Sequence, residues 1–268
     1  MLLCRFGPEG FYAAGESMSE LRVLFSEPLA VPASQWTFGR SVRFDEGAEG
    51  SGGEALRAPI EPGKIVCVGR NYRDHAAELG NPVPAEPLLF LKSPSSLVGP
   101  RAPIVLPPES SHVDFEGEIA LVLGARLRRA TAEEARRAIL GVTAACDVTA
   151  RDLQKRDGSH TAAKSFDSFC PLGPVLRIVD GDDDEWFDGL EIATRVSGVE
   201  RQRARASEMI FPIAEALAHA SHRMTLEPGD LFLTGTPAGV GPLADGDVVE
   251  VEIPGVGILV NPVEAWLR

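Results

Sequence analysis

The chain of 268 residues contains no apolar run near the roughly 20 residues that a bilayer-crossing helix needs, so no membrane-spanning helix is expected. Its first residues lack the basic and apolar regions of a secretory signal, which argues for a cytoplasmic protein. Cysteine is scarce and scattered. Cys4, Cys67, Cys146 and Cys170 form no CxxC, which excludes a disulfide framework or a zinc site by spacing and leaves four reduced thiols. Positive charge is in deficit: 26 Lys and Arg face 39 Asp and Glu, a net of −13, which argues against nucleic acid or an anionic membrane as a partner. No internal repeat is visible. The glycine-rich stretch Thr234–Gly241 lacks the GxxxxGK[ST] pattern and no helix is expected after it, so it is not a nucleotide P-loop. Its backbone amides and Thr hydroxyl remain suited to holding a carboxylate or phosphate.

What is present is the material of a soluble globular protein, 44% hydrophobic and long enough for one large domain or a main domain with a small appendage. Residues 1–55 read as short strands and turns, with strands over Leu2–Phe6, Phe11–Ala14 and Leu21–Phe25. The composition of Glu46–Gly53 marks a flexible connector, which divides a small amino-terminal β-rich module (1–55) from the main domain (56–268). Beyond it, Lys64–Val68 is a short buried strand. Arg70–Gly80 is a turn and a short helix with glycine at C′, and Pro87–Lys92 is a strand ending on lysine. A capping box at Thr131–Glu134 opens a helix, and Gly181–Asp184 is an acidic turn. Ser207–Ala220 is an amphipathic helix whose regular part starts late because of Pro212. Strands dominate and helices are few. The fold class is α+β, mostly β.

The stretch Ser111–Leu123 carries the chemistry. At period two, His112, Asp114, Glu116 and Glu118 share one face of a strand, and Val113, Phe115, Ile119 and Leu121 share the other. Three packed carboxylates repel unless a cation compensates them, and hard oxygen donors suit Mg²⁺, Mn²⁺ or Ca²⁺. The competing reading is a solvated acidic edge strand. His75 and Glu78 lie three apart on one helix face, the arrangement of an oriented general base or of a surface ion pair. Asp147 stands at the end of a buried strand. Lys164 lies in a segment, 163–174, without periodicity, either as a site residue or as a snorkelling lysine.

Six blocks together resemble the fumarylacetoacetate hydrolase family over roughly residues 60–268. They are Val68–Tyr72 with His75 and Glu78, Phe90–Lys92, Asp114–Glu118, Asp147–Gln154, Ala163–Asp167 and Thr234–Gly241. The resemblance implies a mixed β-sandwich roll with a few helices, working as a homodimer and binding Mg²⁺ or Mn²⁺ in an acidic cleft. Glu116, Glu118 and Asp147 match its metal ligands. His75, Glu78 and Lys164 match its catalytic residues, and Arg70, Tyr72, Lys92, Gln154 and Thr236 match substrate-binding positions. The implied activity is metal-dependent hydrolysis of a carbon–carbon bond in an acylpyruvate-like or diketo-acid substrate, as in catabolism of aromatic compounds. Isomerisation, tautomerisation or decarboxylation of 2-hydroxy-diene-dioates or oxaloacetate is the alternative, and a catalytically silent metal-binding protein is the third. On this reading Glu116→Ala removes a metal ligand and leaves the fold largely intact.

Overall fold

The computed structural model describes residues 1–44, 55–179 and 184–267. The expected connector Glu46–Gly53 lies outside the described residues, as does the acidic turn at Gly181–Asp184 except for Asp184. At the amino terminus, β1 (Leu2–Phe6), β2 (Phe11–Gly15), β3 (Leu21–Leu24) and β4 (Phe38–Val42) form an antiparallel meander. Next come β5 (Leu56–Arg57), β6 (Ile65–Gly69), helix α1 (Arg73–Glu78), β7 (Leu88–Lys92), β8 (Leu97–Val98) and β9 (Ile104–Leu106). The acidic region supplies β10 (Val113–Phe115) and β11 (Gly117–Leu123), followed by α2 (Ala132–Arg137), β12 (Ile139–Cys146) and β13 (Thr149–Ala150). Two short helices, α3 (Arg151–Asp157) and α4 (His160–Lys164), precede β14 (Cys170–Ile178). The last part holds α5 (Asp184–Asp188), β15 (Glu191–Val196), β16 (Val199–Arg205), α6 (Ile213–Arg223), β17 (Leu231–Leu233), β18 (Gly241–Pro242), β19 (Val248–Ile253) and β20 (Gly257–Ala265).

A large mixed sheet runs β4-β3-β2-β1-β14-β12-β11-β17-β6-β7, and a five-stranded sheet runs β16-β15-β19-β20-β9. The smaller sheet packs on β11, β12 and β14 of the larger. Strand β11 is therefore covered on both faces. Ile119, Leu121 and Leu123 enter one apolar cluster, with Val251, Ile253 and Leu259 of the small sheet. Ala120 and Val122 enter a second, with Cys67, Leu231 and Leu233. Burial on both faces explains why this strand ends as a continuous apolar run. The amino-terminal strands extend the same sheet, through β1 pairing with β14 at Leu2↔Arg177 and Leu3↔Leu176.

Local signals hold well. The Thr131 hydroxyl accepts from the Glu134 amide and the Glu134 carboxylate accepts from the Thr131 amide, which fixes the start of α2. Helix α6 begins only after Pro212 and buries Ile213, Ala216, Leu217 and Ala220. Two expectations give way. The segment 163–174 has regular structure after all: Lys164 closes α4 and Cys170 opens β14. The acidic stretch is not one strand. Val113–Phe115 pairs with β13 and β18 in a small separate sheet, while Gly117–Leu123 belongs to the large one, so the chain changes sheets at Glu116.

Gly117, the first residue after that change, is where space is tightest. A Cβ there would collide with Thr194 Oγ1, a buried hydroxyl with no hydrogen-bond partner among the described residues. Gly117→Ala should lower unfolding free energy by about 1–3 kcal/mol through overpacking, read as a shifted midpoint in urea denaturation. An unchanged midpoint would contradict this packing.

Candidate active site

Strand pairing assembles the acidic cluster. β11 and β12 are antiparallel with Gly117 opposite Cys146, so the residues just outside the pair, Glu116 and Asp147, meet, and the Asp147 amide donates to the Glu116 carbonyl at 2.7 Å. Glu118, one residue into β11, points to the same region. One carboxylate oxygen from each of Glu116, Glu118 and Asp147 lies within 4.8 Å of the others. All three side chains are buried, as is Asp114, which removes the solvated edge-strand reading.

Buried carboxylates need compensation. Lys92 donates to Asp147 Oδ1 at 2.7 Å and to the Val148 carbonyl at 3.3 Å. Lys164 bridges Glu116 Oε2, at 2.7 Å, and Asp147 Oδ2. Arg151 donates to Asp114 Oδ2 at 2.8 Å, to Glu116 Oε1, and to Gln154 Oε1 at 2.7 Å. Burial would push Glu116 upward, but Lys164 and Arg151 beside it outweigh that and hold its carboxyl well below the usual range. Lys164 is likewise held above the ordinary lysine value: burial opposes the charge, and Asp147 and Glu116 more than restore it.

Glu118 differs. Among the described residues no cation touches it; it accepts only the Gly235 amide, at 2.7 Å. Burial first, then the Asp147 charge, push its carboxyl well above the usual range, which favours its protonated form. Four buried carboxylates thus face three buried cations, Lys92, Arg151 and Lys164, with His112 beside Asp114 at 2.8 Å, and Glu118 is the acid that none of these cations touches. A hard divalent cation fits this donor set: it would take the place of the Glu118 proton among three convergent carboxylate oxygens. The four cysteines are not competitors. All are buried and free, and burial pushes Cys4, Cys146 and Cys170 up to about 12.

His75 is buried on α1, with Nδ1 3.2 Å from Glu78 Oε2. In the tautomer whose Nδ1–H donates to Glu78, Nε2 carries the free lone pair. The other Glu78 oxygen accepts the Gly239 amide at 3.0 Å. Gly239 has φ +105°, and a Cβ there would collide with the Arg201 carbonyl, so only glycine brings this amide so close. The glycine-rich loop does hold carboxylates, as its amides suggested, but they are the protein's own: Glu118 and Glu78. Thr236 accepts from Gln202 Nε2 and donates to the Gly117 carbonyl, which ties the loop to β11 and β16.

One cavity of about 420 Å³ gathers these groups. Glu116, Glu118, Asp147, His75, Glu78, Lys164, Arg70, Gln154 and Thr236 all line it. Two expected substrate contacts do not. Lys92 is fully enclosed behind Asp147, so it positions that carboxylate and does not meet a ligand in the cavity. Tyr72 sits at the start of α1 with extended backbone bridged to Met209; its ring is buried in the core, and its hydroxyl has no hydrogen-bond partner among the described residues. The snorkelling reading of Lys164 also falls, since its ammonium is buried between two carboxylates. Three residues went unassigned from sequence. Arg151 orients both Glu116 and Gln154, and its signal was its i,i+3 spacing to Gln154 on α3. His160 lines the cavity one helical turn before Lys164. Asn71 is fully buried and hydrogen-bonds the Phe211 and Thr234 backbones. Removal of Glu116 would take one partner each from Lys164 and Arg151, which keep Asp147 and Asp114, so Glu116→Ala carries a stability cost beside the loss of a candidate ligand.

Comparison with known proteins points the same way. The fumarylacetoacetate (FAA) hydrolase C-terminal family profile matches residues 64–264. The chain is 50% identical over 210 residues to Protein Rv2993c of Mycobacterium tuberculosis, covering 78% of each. It is 45% identical over 219 residues to the mitochondrial oxaloacetate tautomerase fahd2 of Xenopus laevis, covering 78% of this chain and 68% of that one. Among solved structures, a 2-hydroxyhepta-2,4-diene-1,7-dioate isomerase from Mycobacterium marinum superposes with a TM-score of 0.85 at 40% identity over the full length of both. A fumarylacetoacetate hydrolase from Exiguobacterium antarcticum gives 0.80 at 33% identity, covering 99% of this chain and 100% of that one.

The charge pattern separates two conservative substitutions. Glu118→Gln replaces an acid that no cation partners with a neutral isostere, so metal-free stability should change by less than about 1 kcal/mol while calorimetric Mn²⁺ binding is lost. Glu116→Gln leaves two buried cations short of a partner and should cost about 3–5 kcal/mol in denaturant unfolding. Equal destabilisation by the two would contradict the assignment of the proton to Glu118.

Proposed function

Because the chain belongs to the fumarylacetoacetate hydrolase family, we propose that it is a metal-dependent enzyme acting on a 2-oxo acid through its enolate, with keto–enol tautomerisation or isomerisation as its reaction. The observation that carries this reading is the placement of one oriented base, His75 with Glu78, and a buried carboxylate–lysine cluster on the same cavity. Its relatives named as an oxaloacetate tautomerase and a diene-dioate isomerase support the same branch.

Glu116, Glu118 and Asp147 would hold Mg²⁺ or Mn²⁺, which when bound supplies Lewis-acid polarisation of a chelated carbonyl and carboxylate. With a dication in place of the Glu118 proton the cluster has positive charge to spare, which suits an anionic ligand. Gln154 adds a donor. Arginine can only donate, so the Gln154 oxygen faces Arg151 and its amide NH₂ is the group left for a substrate oxygen. His75 Nε2 takes the proton from the carbon beside the oxo group, and Glu78 stabilises the resulting imidazolium. Lys164 offsets the negative charge that develops on oxygen. Return of the proton from His75 to oxygen gives the enol; return to a conjugated carbon gives the shifted double bond.

Carbon–carbon hydrolysis is the second reading, favoured by the double anchoring of Glu78 on His75 and Gly239, which suits an imidazole that deprotonates water. The water then adds to the distal carbonyl, and the enolate departs with the bond electrons.

Purified protein supplied with Mg²⁺ or Mn²⁺ should convert the enol form of oxaloacetate, or a 2-hydroxy-diene-dioate, with loss of enol absorbance that EDTA abolishes. His75→Ala should lower that rate by about 10²–10⁴ and retain metal binding. Cleavage of an acylpyruvate with no tautomerase activity would shift the assignment to hydrolysis, and metal binding without turnover of any oxo acid would refute the enzymatic reading.

A further inference from the structure

Two of the five histidines, His75 and His160, line the cavity, and their surroundings are opposite in character. His75 is tied to a carboxylate, Glu78, which suits a charged ring. His160 has no such partner. Among the described residues neither of its ring nitrogens is hydrogen-bonded, and the ring lies instead against Phe90, with centroids 5.2 Å apart and planes 30° from parallel. Burial first, then the charge of Lys164, push this imidazole toward its neutral form; Arg70 adds to that, and Glu116 and Asp147 oppose it without reversing it. Arg151 and Lys155 of α3 are further cations on the same cavity.

Helix spacing fixes where the ring stands. His160 and Lys164 are the first and last residues of α4, four apart and so on one face. The Lys164 ammonium lies 4.9 Å from the centre of the same Phe90 ring. Phe90 thus gathers both side chains at one wall of the cavity, and the group that offsets charge on the substrate oxygen has an imidazole for a neighbour. A neutral ring with a free lone pair is a base, and a half-buried one can exchange its proton with water.

We propose that His160 is the second proton carrier of the site, serving the substrate oxygen while His75 serves the carbon. The proposal rests on the enolate reading above and divides between two rings a transfer that His75 would otherwise make alone. In ketonisation the enol O–H bond breaks and its proton forms an N–H bond on His160; the O–H electron pair becomes the carbonyl π bond. The carbon–carbon π pair takes a proton from charged His75, which is left neutral. His160 is left charged, and water resets both rings once the product has gone. Enolisation runs the same steps backwards. Two groups whose surroundings favour opposite protonation states are what such paired transfer requires.

The test follows ketonisation of enol oxaloacetate by the full-length protein loaded with Mg²⁺, a cation for which imidazole is a poor ligand. His160→Phe keeps an aromatic ring against Phe90 but has no nitrogen. It should lower kcat by about 10²-fold or more, with KM little changed and calorimetric Mg²⁺ binding retained. His160→Ala should lose as much, and should regain rate with added imidazole but not with pyrrole, a ring of the same size without a basic nitrogen. Undiminished kcat in His160→Phe, or equal rescue by pyrrole, would overturn the second carrier and leave the oxo-acid reading standing. Absence of turnover by the unaltered Mg²⁺-loaded protein would overturn it together with the tautomerase reading.

Discussion

Asp147 is the carboxylate on which the rest of the site depends. It carries a lysine on each oxygen, Lys92 from behind and Lys164 from the cavity side, and its amide is fastened to the Glu116 carbonyl. A buried carboxylate without such partners would be several kcal/mol too costly to keep charged. From Asp147 the alternation of charge continues through Lys164 to Glu116, then through Arg151 to Asp114 and Gln154. Each cation is shared by at least two acceptors. The network is thus a rigid lattice, and the register of β11 against β12 is what brings its ends together.

Much of this was legible in the chain. Strands Leu2–Phe6 and Leu231–Leu233, the capping box at Thr131 and the late start of α6 all follow from local chemistry, because those signals act within a few residues. The acidic triad was visible as residue types. Its assembly was not, since Asp147 reaches Glu116 only through strand pairing, which no local pattern encodes. Period-two reading of Ser111–Leu123 placed the carboxylates on one side but missed the change of sheet at Glu116, because both strands beside it are extended. Lys92 and Tyr72 lie off the cavity lining for a related reason: adjacency to a motif does not say whether a side chain turns toward the cavity or the core. Arg151 went unassigned because its partners Asp114 and Glu116 are distant in sequence.

The electrostatics bear on the reaction class. A site with positive charge to spare once loaded, a donor at Gln154 and an oriented imidazole at His75 is suited to stabilising an enolate, whatever happens next to it. Tautomerisation, isomerisation and carbon–carbon cleavage share that species and differ in what the imidazole protonates or deprotonates. On the proposed reading, the shared cluster would handle the charge, and the shape around Arg70 and the neighbouring loops would decide which atom lies near His75.

The glycine-rich loop joins two functions that are usually discussed apart. Its Gly235 amide holds Glu118 and its Gly239 amide holds Glu78, five residues spanning a candidate metal-site acid and the partner of the candidate base. A shift of this loop would alter cation affinity and imidazole basicity in the same movement. Variation that tunes one without the other must therefore arise outside the loop.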